Sequence, residues 1–254
     1  MRFSIDLNCD LGEGYGNDAE LMPLISSANI ACGYHAGDAD TMKRTVELAI
    51  KHNVAIGAHP GYADRENFGR TPLNLPAAEV EDLVSDQIAA LSRIAQAAGS
   101  RLKHVKPHGA LYNQSAKDPE LAAVIAKAVK QVDAKLVLFG LSGSHSISAA
   151  ERIGLRTASE VFADRTYQND GTLTPRTDAH AMISDENIAV EQVLDMIKYD
   201  RVRSTDAIMI RIIADTVCIH GDGVKAVEFA SLMRRKFEEY KISVRAFTDR
   251  ASDD

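Results

Sequence analysis

Four histidines of this chain stand in similar surroundings, each just after an apolar run: Cys32-Gly33-Tyr34-His35, Gly57-Ala58-His59-Pro60, Lys106-Pro107-His108-Gly109 and Cys218-Ile219-His220. Carboxylates and cations repeat the pattern. Asp10 and Glu13 follow the first such run, Asp38 follows His35, and Asp222 follows His220. Glu160, Asp164 and Arg165 mark another, and Lys106 precedes His108. Imidazoles and carboxylates can move protons, or can together hold a divalent metal that activates water. Lys106, Arg70, Arg165 and Arg176 can hold an anionic substrate or a phosphorylated intermediate. His52, His145 and His180 do not share the placement and read as surface groups, and His104 reads as a structural residue within a strand. No metal-ligand set is assigned by spacing.

The first run shows how such groups are positioned. Asp6, Asn8 and Asp10 alternate with Leu7, Cys9 and Leu11, so in a strand the three polar groups share one face. Inside a closed barrel, such a face needs hydrogen-bond partners or chemical work. Glycines surround Glu13 and let backbone approach a ligand. Asp-x-Asn-x-Asp also begins a calcium loop, but that loop needs Gly at its sixth position and Glu at its twelfth. Leu11 and Asn17 stand there instead. Between a strand and a helix, residues 140–144 offer N–H groups to a phosphate, although a turn with a Ser cap is the simpler reading. Neither a nucleoside-triphosphate phosphate loop nor a dinucleotide fingerprint occurs.

The elements that must carry these groups alternate. Strands are expected over residues 3–9, 28–32, 53–58, 101–106, 135–139, 155–161 and 242–247. Helices are expected over 18–27, onward from a cap at Asp38 or Asp40, over 76–99, 119–131, briefly after Ser144, over 186–198 and up to about 240. Met42, Val46, Ala49 and Ile50 form one helical stripe, and Val80, Leu83, Val84, Ile88, Leu91 and Ile94 another. Residues 207–213 and 216–219 read as a hairpin. Alternating β and α elements imply a parallel sheet. Their number and the 254-residue length fit a (β/α) barrel of seven or eight strands as one domain over 1–254, with a doubly wound open sheet as the alternative.

Composition narrows the function. A formal net charge of -7 gives no basic footprint for nucleic acid, and no apolar run approaches the roughly 18 residues of a membrane span. Asp6 comes too early for a signal peptide. Cys9, Cys32 and Cys218 are odd in number and lie in apolar runs, which fits buried thiols in a reducing cytoplasm.

The motifs taken together resemble one family. They are Asp6-Leu7-Asn8-Cys9-Asp10-Leu11-Gly12-Glu13, the run from Asn29 to Asp38, Gly57-Ala58-His59-Pro60-Gly61, Phe68-Gly69-Arg70, the run from Val105 to Asn113, Glu160-Val161-Phe162-Ala163-Asp164-Arg165 and Cys218-Ile219-His220-Gly221-Asp222. They are similar to the signatures of the lactam-utilisation (LamB) family, the 5-oxoprolinase A subunits, in order from residue 3 to about 247. Thr71, Tyr34 and Gly223 depart from the commoner family residues. The resemblance implies a (β/α) barrel related to the polysaccharide deacetylases. It also implies a subunit that works with two partner subunits to open 5-oxo-L-proline to L-glutamate as ATP becomes ADP and phosphate. ATP would bind here or on a partner, and the deacetylase kinship suggests a divalent metal. Asp10, Glu13, His59, Lys106 and His108 are the candidate catalytic residues. Asp6, Asn8, His35, Asp38, Arg70, Glu160, Arg165, Arg176, His220 and Asp222 are the candidate substrate-binding residues. The alternatives are a stand-alone metal-dependent amide or carbohydrate deacetylase and a substrate-binding subunit without chemistry.

Overall fold

A computed structural model describes residues 3–219 and 225–249; the expectations for His220 and Asp222 lie outside the described residues. In chain order the strands are β1 (Ser4–Leu11), β2 (Ser27–Ala31), β3 (Ala55–His59), β4 (His104–Val105), β5 (Val137–Leu141), β6 (Arg156–Phe162), β7 (Arg201–Arg203), β8 (Met209–Arg211), β9 (Thr216–Ile219) and β10 (Ser243–Val244). Strands β1 to β6 pair in parallel in that order, β9 pairs with β6, and β9 returns to β1 through Asp6 opposite Thr216. Seven parallel strands therefore close a barrel. Among the described residues, strand β10 pairs only with the start of β1, Ser4 opposite Ser243, below the point where β9 takes over the same edge.

Helices α1 (Asp18–Leu21), α2 (Ala39–Lys51), α3 (Ala77–Ala97), α4 (Gly109–Lys117), α5 (Pro119–Val132), α6 (His145–Arg152), α7 (Glu186–Tyr199) and α8 (Ala226–Glu239) accompany the strands. Asp38, Asp118 and Asp185 cap α2, α5 and α7 by accepting from backbone N–H groups of the first turn. Ile5, Leu7, Cys9 and Leu11 join an aliphatic core with Val46, Ile56, Val84, Ile88 and Val129. The α3 stripe holds at Val80, Val84, Ile88 and Leu91, while Leu83 and Ile94 are only partly buried. Gln87 on the same helix is fully buried: its amide accepts from Gly61 N (3.1 Å) and donates to Gly61 O (2.9 Å), fixing the turn after β3.

Several expectations change. The helix expected over 18–27 ends at Leu21 and tightens into a 3₁₀ turn, Met22–Leu24, because Pro23 has no N–H to continue the ladder. Ile50 is exposed, not part of the α2 stripe. Helix α4 has no counterpart among the expected helices, since Pro107, His108 and Gly109 read as a loop. The expected hairpin of 207–213 with 216–219 is also wrong. Strand β8 pairs antiparallel with β7, Val202 opposite Ile210, and β9 belongs to the barrel. Alternation identifies a strand but not its partner. The 140–144 segment is the end of β5 and the turn after it, with Ser144 at the α6 N-cap position and the Ser142 hydroxyl accepting from Ile213 N.

Candidate functional site

The polar face of β1 climbs the barrel interior from one layer to the next. At the bottom, Asp6 is fully buried and accepts from Ser26 Oγ (2.6 Å), Ser27 Oγ (2.7 Å) and Thr216 Oγ1 (2.6 Å). One step up, Asn8 donates to Thr216 Oγ1 (2.7 Å) and Glu160 Oε1 (2.9 Å), and accepts from Asn29 Nδ2 (2.7 Å). His104 donates from Nε2 to Asn29 Oδ1 (2.8 Å) and stacks on Phe139. A Cβ at Gly57 would lie 2.0 Å from the His104 ring, so β3 needs glycine there. Burial first, then Lys106 and His59, pushes the His104 pKa down to about 3, so the ring is neutral.

The top layer holds the charges. Lys106 Nζ contacts Asp10 Oδ1 (2.8 Å), Glu160 Oε1 (3.0 Å), Cys218 Sγ (3.1 Å) and Asn8 Oδ1 (3.4 Å). Burial opposes its charge, but Asp10, Cys218 and Glu160 outweigh burial and hold its pKa above the ordinary lysine value. Asp10 also accepts from Asn29 Nδ2 (2.8 Å). The three cysteines are free and buried, as expected. Burial pushes all three thiols up, Cys32 to about 12.

Beside Lys106, four side chains from separate segments meet. His59 sits at the end of β3 and its Nδ1 lies 2.7 Å from Lys106 O. His108 sits at the N-cap position of α4 and its Nε2 lies 2.8 Å from Phe68 O. The facing atoms, His59 Nε2 and His108 Nδ1, are 2.9 Å apart. Glu13 Oε1 lies 3.4 Å from His108 Nδ1, 3.8 Å from His59 Nε2 and 3.6 Å from His35 Nε2. Asp10 Oδ2 is 3.4 Å from His59 Nε2. The His35 ring stacks on His108, 3.8 Å between centroids and 3° between planes, and neither of its ring nitrogens makes a hydrogen bond among the described residues. Burial, then the neighbouring imidazoles, drives the His35 pKa down, and the same causes take His108 to about 3. Glu13, His35, His59 and His108 thus form a cluster of potential metal ligands.

The backbone is shaped to present them. Phe68 and Gly69 are both left-handed (φ 56° and 63°), which turns the Phe68 carbonyl onto His108. A Cβ on Gly69 would come within 2.8 Å of His35 Cβ, so only glycine fits between the two rings and the loop. Arg65 clamps the His35 loop by donating to the Gly33 and Gly37 carbonyls, both at 2.6 Å. Sequence reasoning misses the clamping by Arg65 and Gln87; a lone Arg in a loop and a lone Gln in a helix carry no such signal.

A cavity of about 700 Å³ opens over this layer, at the C-terminal ends of the strands, where barrels place their ligands. Asp10, Glu13, His59, Lys106, His108, Arg70, Arg165 and Arg176 all line it. His35 lies under His108, and Glu160 under Lys106. Asp6 and Asn8 lie deeper in the barrel, and Asp38 is an exposed helix cap bonded to Thr41 N (2.7 Å). Arg165 spends two donors on the carbonyls of Thr174 and Ala181 and so braces the 162–185 loop. A second cavity, about 750 Å³, is lined by Thr166, Asn169, Asp170, Asp178 and neighbours. There Asp170 caps Thr172 N and Asp178 caps His180 N, so those carboxylates hold their own turns.

Comparison with known proteins places this geometry. The LamB/YcsF family model matches residues 5–252. The 5-oxoprolinase A subunit of Bacillus cereus strain Q1 is 51% identical over 247 residues, 95% of this chain and 98% of that protein. The protein of the same name from strain AH187 matches equally. The crystal structure of the lactam utilization protein from Thermus thermophilus superposes with a TM-score of 0.90 at 41% identity, covering 96% of this chain and all of that one. A family 4 carbohydrate esterase from Streptomyces lividans shares the fold alone, with TM-score 0.51 and 12% identity over 95% of this chain and 91% of that one. With a family model spanning nearly its whole length and relatives at half identity end to end, the chain belongs to the LamB/YcsF family.

Proposed function

We propose that this chain is the A subunit of an ATP-dependent 5-oxoprolinase and that the lactam opens at the mouth of its barrel. One observation carries the reading. In a chain half identical to named 5-oxoprolinase A subunits, one cavity brings together the buried ammonium of Lys106, the carboxylates of Asp10 and Glu13 and the imidazoles of His59 and His108. A lactam is a resonance-stabilised amide and resists water. Phosphorylating its oxygen makes the ring carbon electrophilic; water adds there, the ring C–N bond breaks as the departing nitrogen takes a proton, and a second water cleaves the resulting acyl phosphate to the carboxylate and inorganic phosphate. Such a sequence needs a cation for the developing negative charge, a base for the water and a donor for the nitrogen.

Lys106 supplies the cation. Its charge is fixed by Asp10 and Glu160, and a compact ammonium follows an anion that changes shape better than a guanidinium would. Glu13, His59 and His108 converge where the water must lose its proton, with both rings held by backbone carbonyls on their far sides. Arg70 and Arg176 stand at the cavity wall to receive the substrate carboxylate or phosphate. ATP is bound by this chain or by one of two further subunits. No helix of the described residues is long and apolar enough to cross a membrane, and we place the assembly in the cytoplasm.

Reconstitution with the two candidate partners, following glutamate and phosphate together, tests the reading. Equal release of both, only with ATP and all three chains, is expected. ATP-independent amide hydrolysis by the isolated chain would instead make it a stand-alone hydrolase, and assembly without any need for the barrel's mouth residues would make it a binding subunit.

A further inference from the structure

Hydrogen-bond directions around the two facing histidines leave a place for a cation. A carbonyl oxygen only accepts, so His59 Nδ1 and His108 Nε2, each held on a carbonyl, must both carry their protons there. A neutral imidazole has one N–H. The facing atoms, His59 Nε2 and His108 Nδ1, therefore both present lone pairs, yet they are 2.9 Å apart. Glu13 Oε1, another acceptor, completes the convergence at 3.4 and 3.8 Å. Three lone-pair donors aimed at one point repel one another unless a positive species lies between them.

The number of donors distinguishes a metal from a shared proton. Asp10 Oδ2 and Glu13 Oε1 both lie against the rings, so two carboxylate oxygens share this point with the two ring nitrogens. A shared proton serves two of these four atoms, whereas an ion can serve all of them. Donor spacing agrees. Bonds of about 2.1 Å in a tetrahedral site put donors roughly 3.4 Å apart, and the separations here run from 2.9 to 3.8 Å. Metal-bound histidines commonly donate their other N–H to a backbone carbonyl or carboxylate, which is the arrangement on both rings here. His35 stacks parallel to His108, so an ion in the plane of one ring is out of the plane of the other; His35 walls the site.

We propose that Glu13, His59 and His108 bind one divalent first-row transition ion, with Asp10 Oδ2 as a fourth oxygen within reach. Nitrogen and oxygen donors of this kind suit zinc, cobalt or manganese. Metal uptake by the isolated chain does not depend on whether it opens a lactam, so this inference and the proposed function fail separately.

The full chain, stripped with chelator and dialysed, is titrated with Zn²⁺ for stoichiometry and with Co²⁺ for visible ligand-field absorption. One equivalent of each is expected, with the Co²⁺ bands displaced by Zn²⁺. His59→Gln and His108→Gln should weaken binding by at least roughly a hundredfold, and the control His145→Gln should leave it unchanged. Circular dichroism checks the fold. Should the histidine variants not fold, the near-isosteric Glu13→Gln decides, with a loss of about tenfold or more expected. Substoichiometric uptake by the unmutated chain, or unchanged uptake by the folded variants, would overturn the site.

Discussion

The lower and upper layers of the barrel interior are built from the same residue types and behave differently. Below, Asp6 is surrounded by three hydroxyls that donate to it, and Asn8 uses its amide in both directions. Above, acceptors face acceptors: His59 Nε2, His108 Nδ1 and Glu13 Oε1 converge, and both rings turn their protons away. Burial alone does not mark function, since Asp6 is more deeply buried than Asp10. The difference lies in satisfaction. A buried group with all its partners stabilises the fold, whereas groups that crowd their lone pairs together are kept for something the chain itself does not supply.

The largest effect expected to sharpen that contrast is at the top. His59→Gln should lower ATP-coupled turnover of the reconstituted complex by roughly 10²–10⁴-fold, the range for losing a positioned acid–base group. Its thermal midpoint should hardly fall. Lys106→Met tests the boundary between the layers. It removes the ammonium that Asp10 and Glu160 share, so it should cost at least about a hundredfold in turnover and about 3–5 kcal/mol of stability, as when one partner of a buried ion pair is removed. A well-folded variant with normal turnover would take Lys106 out of the mechanism.

Effects confined to the bottom layer should be smaller and purely structural. Thr216→Val leaves Asp6 Oδ2 and Asn8 Nδ2 with one partner fewer each, and should cost about 1–3 kcal/mol in chemical denaturation. The smallest effect follows from pH. His104 is neutral when folded, with its pKa down to about 3, against an ordinary value of 6.5. The unfolded chain then binds more protons between those values, so stability is complete above 6.5 and is lost as pH falls toward 3. By about pH 5.5 this residue alone should account for roughly 1 kcal/mol. Denaturant midpoints at about pH 7.5 and 5.5 for the unmutated chain and His104→Gln check it: the variant should show less pH dependence.

What the sequence made legible was whatever repeats. The alternation of Asp6, Asn8 and Asp10 placed all three inside the barrel, and the recurrence of His35, His59, Lys106 and His108 after apolar runs placed them at one end of it. Asp38 shared that recurrence and had two readings, helix cap and ligand; the structure takes the cap, because a carboxylate after a strand serves a helix N-terminus as readily as a ligand. Asp6 and Asn8 share a face with Asp10, but periodicity says nothing about depth along the barrel. The partners of β8, the clamp by Gln87 and the left-handed Phe68 depend on contacts between distant segments and leave no local pattern.

The central claim is that chemistry belongs to the upper layer and support to the lower. Parallel measurement of coupled glutamate and phosphate release and of thermal midpoint, for Glu13→Gln and Thr216→Val in the reconstituted complex, tests it most directly. The account predicts a crossed result: Glu13→Gln loses turnover and keeps its midpoint, and Thr216→Val loses midpoint and keeps turnover at temperatures where it is folded. Turnover that survives Glu13→Gln, or falls in step with stability in both variants, would contradict it.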